Sequence, residues 1–245
     1  MNRKAARSGM YHLRDYGDNR SAYVCYGPEY AHLFRETQLY AAHVHGQPPP
    51  PKPDPIDERA ELLLLLDTRP EQPVSEMPLR LAAAARILIL KNLKEARRSY
   101  TASLYDWPDR LPAPLTWPIA EVSRLMVIDG ERSPHDLRRL WMALQLAAAL
   151  PHGPRFWVGS VSARGQSEAL ETTLAHWPRW PDSQFQPRYD YPADEPPAKV
   201  PKLPAHWRLF AKAQAKALAI GRDPDFGHAA DALLAIDWSA ASAAP

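Results

Sequence analysis

Cysteine is nearly absent from this chain of 245 residues, in which Cys25 stands alone. A single thiol has no partner for an intramolecular disulfide, and it excludes a metal site built from cysteines only. Unpaired thiols are typical of proteins in a reducing compartment. We therefore expect a cytoplasmic protein.

Strong charge of one sign and long apolar runs are missing as well. The 30 basic and 28 acidic residues leave a formal net charge of +2, whereas a nucleic-acid footprint is larger and more clustered. The apolar run WMALQLAAAL (141–150) is too short to span a bilayer, and no apolar signal core follows the basic N-terminus. We expect a soluble globular protein with no membrane span and no nucleic-acid partner.

Glycine is scarce and proline abundant, with 10 against 27 residues. Because proline interrupts helices and central strands, its clusters at 47–55, 107–118 and 177–204 mark connections. The chain has neither a phosphate loop nor a dinucleotide fingerprint. Its nine histidines lack the i, i+4 pairing of a zinc protease. We expect no metal site.

Strand-like and helix-like segments alternate in the middle of the chain. AEVSRLMVID (120–129) and RFWVGSVSA (155–163) predict strands, and Ser133 followed by Pro134 predicts the start of a helix between them. This order favours an α/β layer. Further predictions are a helix over 28–45, a strand over 60–68, a surface helix over 90–107, a short helix over 167–177 and two C-terminal helices over 205–221 and 224–238. The stretch 75–90 is expected to start extended and to become helical in its alanines.

Glu121 and Arg124 are charged residues inside an apolar stretch that is predicted to be a strand. Charges in such a place are costly unless they are paired or used. Side chains alternate faces along a strand, so the two residues could serve one cleft only if the strand bulges or ends there. The alternative is that both lie at an exposed strand end.

Four short motifs, taken in order, resemble one family. AEVSRLMV (120–127) resembles the W-E-x-S-R-F signature of the acyl-homoserine-lactone synthases, the autoinducer synthases of bacterial quorum sensing. DPIDERAELLLLLD (54–67) resembles the D-x-x-D of that family followed by a core strand. PLRL (78–81) is similar to its strand ending in Arg-Leu, and LFRETQLY (33–40) to its V-F-x-x-R-L-x-W helix.

The chain also departs from the family pattern. Tyr30 stands where the family has an arginine, Tyr40 stands in place of its tryptophan, and Ala120 replaces the tryptophan before the glutamate. The resemblance covers residues 28–160, and the chain beyond about 195 has no counterpart.

The resemblance implies an α/β (α+β) fold of the N-acetyltransferase type, a mixed twisted sheet flanked by helices. We expect an acyltransferase-like domain over 1–195 and a C-terminal helical extension over 196–245. The implied reaction moves an acyl group from acyl carrier protein or coenzyme A to the amine of S-adenosylmethionine, whose carboxylate then closes a lactone. Both molecules are substrates, and no further cofactor is expected.

The resemblance also implies substrate-binding residues. Asp54 and Asp57 would bind the cationic S-adenosylmethionine, and the aromatic faces of Phe34 and Tyr40 would attract its sulfonium. Arg80 would hold a carboxylate or an acidic neighbour. In a generic protein, aspartates in a proline loop are turn residues and buried aromatic residues belong to the core.

Glu121 and Arg124 are the implied catalytic residues, and Ser123 between them is assigned to substrate binding. Glu121 would accept the amine proton, while Arg124 would orient it or bind the thioester. Two alternatives remain open: an N-acyltransferase acting on another amine such as an amino acid, and a catalytically inactive binding module of the same fold.

Overall fold

The computed structural model describes residues 9–17, 19–44, 48–68, 81–127, 134–150, 153–163, 167–181, 187–190, 201–223 and 229–241. They form a mixed α+β structure with an eight-stranded sheet. The strands are β1 (Gly9–Tyr16), β2 (Arg20–Tyr26), β3 (Glu61–Asp67), β4 (Leu81–Leu90), β5 (Ile119–Val127), β6 (Phe156–Ser162), β7 (Lys216–Asp223) and β8 (Ala229–Asp237). Their order in the sheet is β1-β2-β3-β4-β5-β6-β8-β7.

The helices are short apart from two. They are α1 (Ala31–Val44), α2 (Leu93–Ala96), α3 (Tyr100–Leu104), α4 (Pro134–Ala149), α5 (Glu168–Ala175), α6 (Ala205–Lys212) and α7 (Trp238–Ala241), with single 3-10 turns at Pro28–Tyr30, Asp57–Arg59 and Trp107–Arg110. None of them, within the residues described, is long and apolar enough to cross a membrane.

The chain divides into two compact units. Unit 1 comprises Met1–Leu88 and Ser123–Gly153, and unit 2 comprises Ile89–Val122 and Pro154–Pro245. The boundary predicted at residue 195 lies in 191–200, outside the described residues, and the division into 1–195 and 196–245 stays a prediction.

Unit 1 is built on antiparallel strands. β2 pairs with β1 on one side and with β3 on the other, and β3 pairs with β4. The leucines of β3 from Leu62 to Leu66 are all at most 4% exposed, as expected of a continuous apolar run buried on both faces. The predicted strand over 60–68 and helix over 28–45 are confirmed by β3 and α1.

The prediction of helix in the alanines of 75–90 is wrong. Residues Leu81–Leu90 form β4, which pairs with β3 in the register Leu63↔Ala85 and Leu65↔Ala83. Alanine is the best helix former in isolation, but pairing with a buried neighbouring strand overrides that weak preference. The start of the predicted stretch, 75–80, lies outside the described residues.

Unit 2 contains the parallel pair of β5 and β6, in the register Ile119↔Phe156 to Glu121↔Val158. On its other side β6 pairs antiparallel with β8, and β8 pairs with β7. The strands predicted over 120–129 and 155–163 are confirmed, and so are the helices that start at Pro134 and lie within 167–177. Ser133 lies outside the described residues.

The predicted C-terminal helical extension is wrong in its secondary structure. Only α6 and the short α7 are helical there, and β7 and β8 occupy most of the remaining described residues. Both strands are buried apolar runs, a pattern that periodicity alone does not distinguish from buried helix. Gly221 permits close packing against β7, because a Cβ there would lie 2.6 Å from the carbonyl oxygen of Tyr189.

The single surface helix predicted over 90–107 is also wrong, since two short helices, α2 and α3, occupy this stretch. Asn92 accepts a hydrogen bond from the Glu95 amide, and Ser99 accepts one from the Ala102 amide. Each polar side chain caps a new helix start. The two caps explain why the helix is interrupted.

Two buried carboxylates, one on β7 and one on β8, accept hydrogen bonds from tyrosine hydroxyls. One tyrosine lies in α3 and the other directly follows it. Tyr100 donates to Asp223 over 2.9 Å, and Tyr105 donates to Oδ2 of Asp231. Asp231 is 1% exposed, and its buried Oδ1 has no hydrogen-bond partner among the described residues. Burial raises the pKa of Asp231 to about 7, and the charge of Asp223 adds to this against the lowering effect of Tyr105.

This carboxyl makes stability depend on pH. Its folded pKa of about 7 lies above the ordinary value of 3.8, so its stabilising contribution is complete below that ordinary value and is lost as the pH rises through 7. We expect Asp231→Asn to raise the melting temperature at pH 8 by about 2–6 °C relative to wild type, and to bring a smaller gain at pH 5, where only part of the contribution has been lost.

The control variant is Asp237→Asn, which removes a partly exposed ion pair with Arg155. The pKa of Asp237 is lowered to about 2, mainly by the Arg155 hydrogen bond, so this variant should keep the wild-type pH slope between pH 5 and 8. An Asp231→Asn effect of equal size at both pH values would contradict the prediction.

Candidate functional site

Two aspartates and two arginines of unit 1 form a compact network of ion pairs, here called the Asp–Arg cluster: Asp54, Asp57, Arg86 and Arg124. Nη1 of Arg86 lies 2.5 Å from Oδ2 of Asp54 and 2.8 Å from Oδ1 of Asp57. Arg124 donates from Nη2 to Asp54 over 2.8 Å and from Nη1 to both oxygens of Asp57 over 3.0 Å. Each guanidinium therefore bridges both carboxylates.

A tight turn holds the two aspartates beside each other. Oδ1 of Asp54 accepts a hydrogen bond from the Ile56 amide over 2.9 Å, and the Asp57 amide donates to the Asp54 carbonyl over 2.9 Å. Asp54 stands between Pro53 and Pro55, whose rings fix the backbone on either side. The residues are thus turn formers and ion-pair partners at once.

Arg86 is the most deeply buried member of the cluster, with 2% exposure on β4. Besides its two carboxylate partners, it donates from Nε to the hydroxyl of Ser123 over 2.9 Å. Burial by itself lowers the pKa of Arg86, but the charges and hydrogen bonds of Asp54 and Asp57 outweigh it and raise the pKa above its usual value. The guanidinium is a fixed positive charge.

Arg124 has a left-handed backbone, with φ of 50°, in the middle of β5. In a regular strand, Ser123 and Arg124 would point to opposite faces. Here both serve the same cluster, since Ser123 accepts from Arg86 and Arg124 binds the aspartates. Positive φ is uncommon in residues other than glycine, and strain of this kind persists only where the surroundings hold it in place.

Asp54 and Arg124 form the outer edge of the cluster. Their side chains are 22% and 12% exposed, against 9% for Asp57 and 2% for Arg86. Burial favours a higher pKa for Asp54, but the charge of Arg86, its hydrogen bond and the Ile56 amide together lower it. Asp54 is therefore ionised at neutral pH.

The two residues of the outer edge differ in how fully their polar groups are used. Burial and the charge of Arg86 lower the pKa of Arg124, and the two aspartates compensate only in part. Within the described part of the chain, Nε of Arg124 donates to no partner, and Oδ1 of Asp54 accepts only the Ile56 amide. One N–H of Arg124 and part of the accepting capacity of Asp54 are thus not used by the described residues of the cluster.

The remaining predicted residues of unit 1 have other contacts. Phe34 is 2% exposed in the core, and its carbonyl accepts a hydrogen bond from Thr37 over 2.8 Å. Tyr40 is half-buried, with its hydroxyl 3.5 Å from the Val127 carbonyl oxygen. Arg80 lies outside the described residues.

Glu121 belongs to unit 2, where it is completely buried and caps α3. Its Oε1 accepts from the Tyr100 amide over 3.1 Å, and its Oε2 accepts from the Thr101 amide over 2.8 Å and from the Thr101 hydroxyl. Trp107 donates to the same hydroxyl over 3.0 Å. The carboxylate thus satisfies amides at the start of α3 that would otherwise lack an acceptor.

Arg86 is the member of the cluster that sequence reasoning missed. The resemblance selected Arg80 instead, and the alanines around Arg86 favoured a helix. The available signal was the isolation of one arginine within the apolar run LAAAARILIL (81–90). A lone charge in a buried strand requires opposite charges nearby.

Comparison with known proteins gives a likeness in fold only. No protein-family model matches the chain, and no curated protein matches it. The fold is similar to that of FeeM, an N-acyl amino acid synthase from uncultured soil microbes, with 11% sequence identity over 90% of this chain and 92% of that chain and a TM-score of 0.47. Likeness at this level supports no inference about activity, which has to rest on the residues themselves.

Removal of the Glu121 carboxylate should destabilise the protein. We expect Glu121→Ala to lower the free energy of unfolding by about 3 kcal/mol, because two buried amides and a hydroxyl lose their acceptor. Urea unfolding at pH 7 measures this loss. Glu95→Ala is the control, since the Glu95 carboxylate accepts, among the described residues, a single exposed bond from the Lys91 amide. The loss in this variant should stay below about 1 kcal/mol. If Glu121→Ala unfolded like wild type, the structural role would be excluded.

Proposed function

We propose that this chain is an N-acyltransferase of the acyl-homoserine-lactone synthase type, with the N-acetyltransferase-like fold that the sequence resemblance implies. It would move an acyl group from a thioester to the α-amine of a small acceptor that also carries a carboxylate. One observation carries the proposal: Asp54, Asp57, Ser123 and Arg124, four residues singled out by the resemblance, meet in one buried network with Arg86.

The proposed transfer is a simple substitution at the thioester carbonyl. The neutral amine forms the new C–N bond, the C–S bond breaks, and the sulfur leaves as a thiol once it has gained the proton that the amine loses. With S-adenosylmethionine as acceptor, its carboxylate oxygen then attacks the carbon next to the sulfonium. That C–S bond breaks, methylthioadenosine leaves as a neutral sulfide, and the lactone closes.

The outer edge of the Asp–Arg cluster suits an α-amino acid group. In this proposal, Arg124 binds the acceptor carboxylate through its remaining N–H groups, and Asp54 accepts from the amine. Arg86 and Asp57 keep the two edge residues in place before the acceptor arrives.

The proton requires a separate acceptor. The lowered pKa of Asp54 makes it a weak base, and an α-amine with a pKa of about 8 is partly neutral already. Water is sufficient in this role. In this proposal Glu121 does not remove the proton itself. Its role is to hold the start of α3 in place, because it caps that helix.

Phe34, Tyr40 and Arg80 remain proposed substrate-binding residues. The two aromatic residues would offer faces to a sulfonium, and Arg80 would offer a second site for a carboxylate. These roles rest on the sequence resemblance.

A second acceptor class, the ordinary amino acids, is favoured by the charge of the cluster. Two aspartates and two arginines sum to zero. A zwitterionic amino acid is also neutral, whereas S-adenosylmethionine carries a net positive charge that the cluster does not balance. Tyr30 and Tyr40, where the family has arginine and tryptophan, accord with a different acceptor.

Release of free thiol and of methylthioadenosine tests both acceptors together. Purified protein is incubated with acyl-coenzyme A or acyl carrier protein thioesters of short, medium and long chain, and with either S-adenosylmethionine or a mixture of amino acids. We expect thiol release that depends on the acceptor, accompanied by methylthioadenosine only if S-adenosylmethionine is the acceptor.

The site is tested by Arg124→Lys, which keeps the charge but loses the planar fork. We expect kcat/KM for the acceptor to fall by about 10- to 100-fold. Arg97→Lys is the control, because Arg97 forms an exposed ion pair with Asp109 in unit 2. Absence of acceptor-dependent thiol release with every thioester would contradict the proposal and favour a binding module.

A further inference from the structure

Residues 48–55, here called the proline segment, lead directly into the Asp–Arg cluster. Six of these eight residues are proline, so only Lys52 and Asp54 have a backbone N–H. The segment has many carbonyl acceptors and almost no donors, and it cannot form a backbone ladder of its own. Donors from outside the segment are needed to hold it in one place.

Arg35 and Gln38 of α1 supply those donors. Arg35 donates from Nη2 to the Pro50 carbonyl over 2.5 Å and from Nη1 to the Lys52 carbonyl over 3.0 Å. Gln38 donates to the same Lys52 carbonyl over 3.2 Å, and its Oε1 accepts from Arg35 over 2.6 Å. Residues three apart lie on one face of a helix, so the two side chains act as one clamp.

The clamp is attached to a buried part of unit 1. Leu33, Phe34 and Thr37 of α1 are at most 2% exposed, which fixes the helix to the core. Arg35 and Gln38 are half-buried beside them. The proline segment is thereby tied to a packed helix and not merely to the surface.

The restricted backbone of the proline segment links the clamped residues to the Asp–Arg cluster. Only Pro53 separates the clamped Lys52 from Asp54, and Pro55 follows. Proline fixes the backbone angle φ. Asp57 is held by a different restraint, the hydrogen bond from its amide to the Asp54 carbonyl. A displacement at residues 50–52 is therefore passed on to both carboxylates.

We infer that Arg35, supported by Gln38, is a positioning residue that fixes the proline segment and thereby sets the places of Asp54 and Asp57 in the acceptor site. The clamp is a property of unit 1 alone, whereas its effect on an acceptor rests on the proposed function. The two parts are tested by separate measurements.

Amide hydrogen exchange tests the clamp. In Arg35→Ala, exchange at the amides of Ile56 and Asp57 should become at least about tenfold faster, while the Leu64 amide in β3 stays unchanged. Arg35→Lys donates from one point and cannot form the fork, so it should give a smaller increase. Glu36→Ala, at an exposed position of the same helix, should change neither. Unchanged exchange at Ile56 and Asp57 in both Arg35 variants would overturn the inference.

Steady-state kinetics test the effect on the acceptor. A mispositioned site should raise KM for the acceptor by about tenfold in Arg35→Ala with kcat within about twofold, and Arg35→Lys should recover part of the loss. A fall in kcat at constant KM would contradict acceptor positioning. If exchange accelerates while the wild-type protein shows no acyl transfer, the clamp stands and the proposed function fails.

Discussion

The buried guanidinium of Arg86 is the constraint on which the site depends. A positive charge with 2% exposure is tolerated only if carboxylates and hydrogen-bond acceptors surround it. Asp54 and Asp57 provide the charges, and Ser123 accepts the bond from Nε. Those carboxylates in turn bring Arg124 into the network, which restores neutrality.

The backbone around the cluster is adapted to these pairs. Arg124 has a left-handed conformation that a strand residue does not adopt freely, and its two ion pairs offset that strain. Prolines stiffen the segment that carries Asp54, and Arg35 ties that segment to α1. The carboxylates and guanidinium groups of the cluster are therefore held in place before any ligand binds. Such preorganisation is what a site needs if it is to orient a small zwitterion without a reorganisation cost.

Much of unit 1 could be predicted from the sequence, because its signals are local. The leucine run of β3 and the apolar spacing of α1 indicate their elements directly, and Pro134 marks the start of α4. An irregularity on β5 was expected only if Glu121 and Arg124 served one cleft, whereas the left-handed residue lets Ser123 and Arg124 share the Asp–Arg cluster. Alanine-rich strands were not predictable in this way. The alanines of β4 and β8 favour helix in isolation, and only their pairing with neighbouring strands decides otherwise.

The site itself was predictable in part, for the same reason. Asp54, Asp57 and Arg124 belong to short motifs, whereas Arg86 belongs to none of them. The resemblance selected Arg80, as the residue that holds a carboxylate or an acidic neighbour, because motif order says nothing about burial. Arg86 is identified by its environment, a lone charge in a strand that sequence alone did not recognise as a strand. The contacts of Glu121 with Tyr100 and Thr101 depend on caps that divide one apparent helix into two.

A double-mutant cycle between Arg86 and Asp57 tests the central claim most directly. Urea unfolding at pH 7 is compared for wild type, Arg86→Met, Asp57→Asn and the double variant. If the buried charges support each other, each single change leaves an unbalanced charge, and the double variant is more stable than the sum of the two losses by about 2 kcal/mol or more. Losses that add within about 0.5 kcal/mol would show that the two residues do not depend on each other.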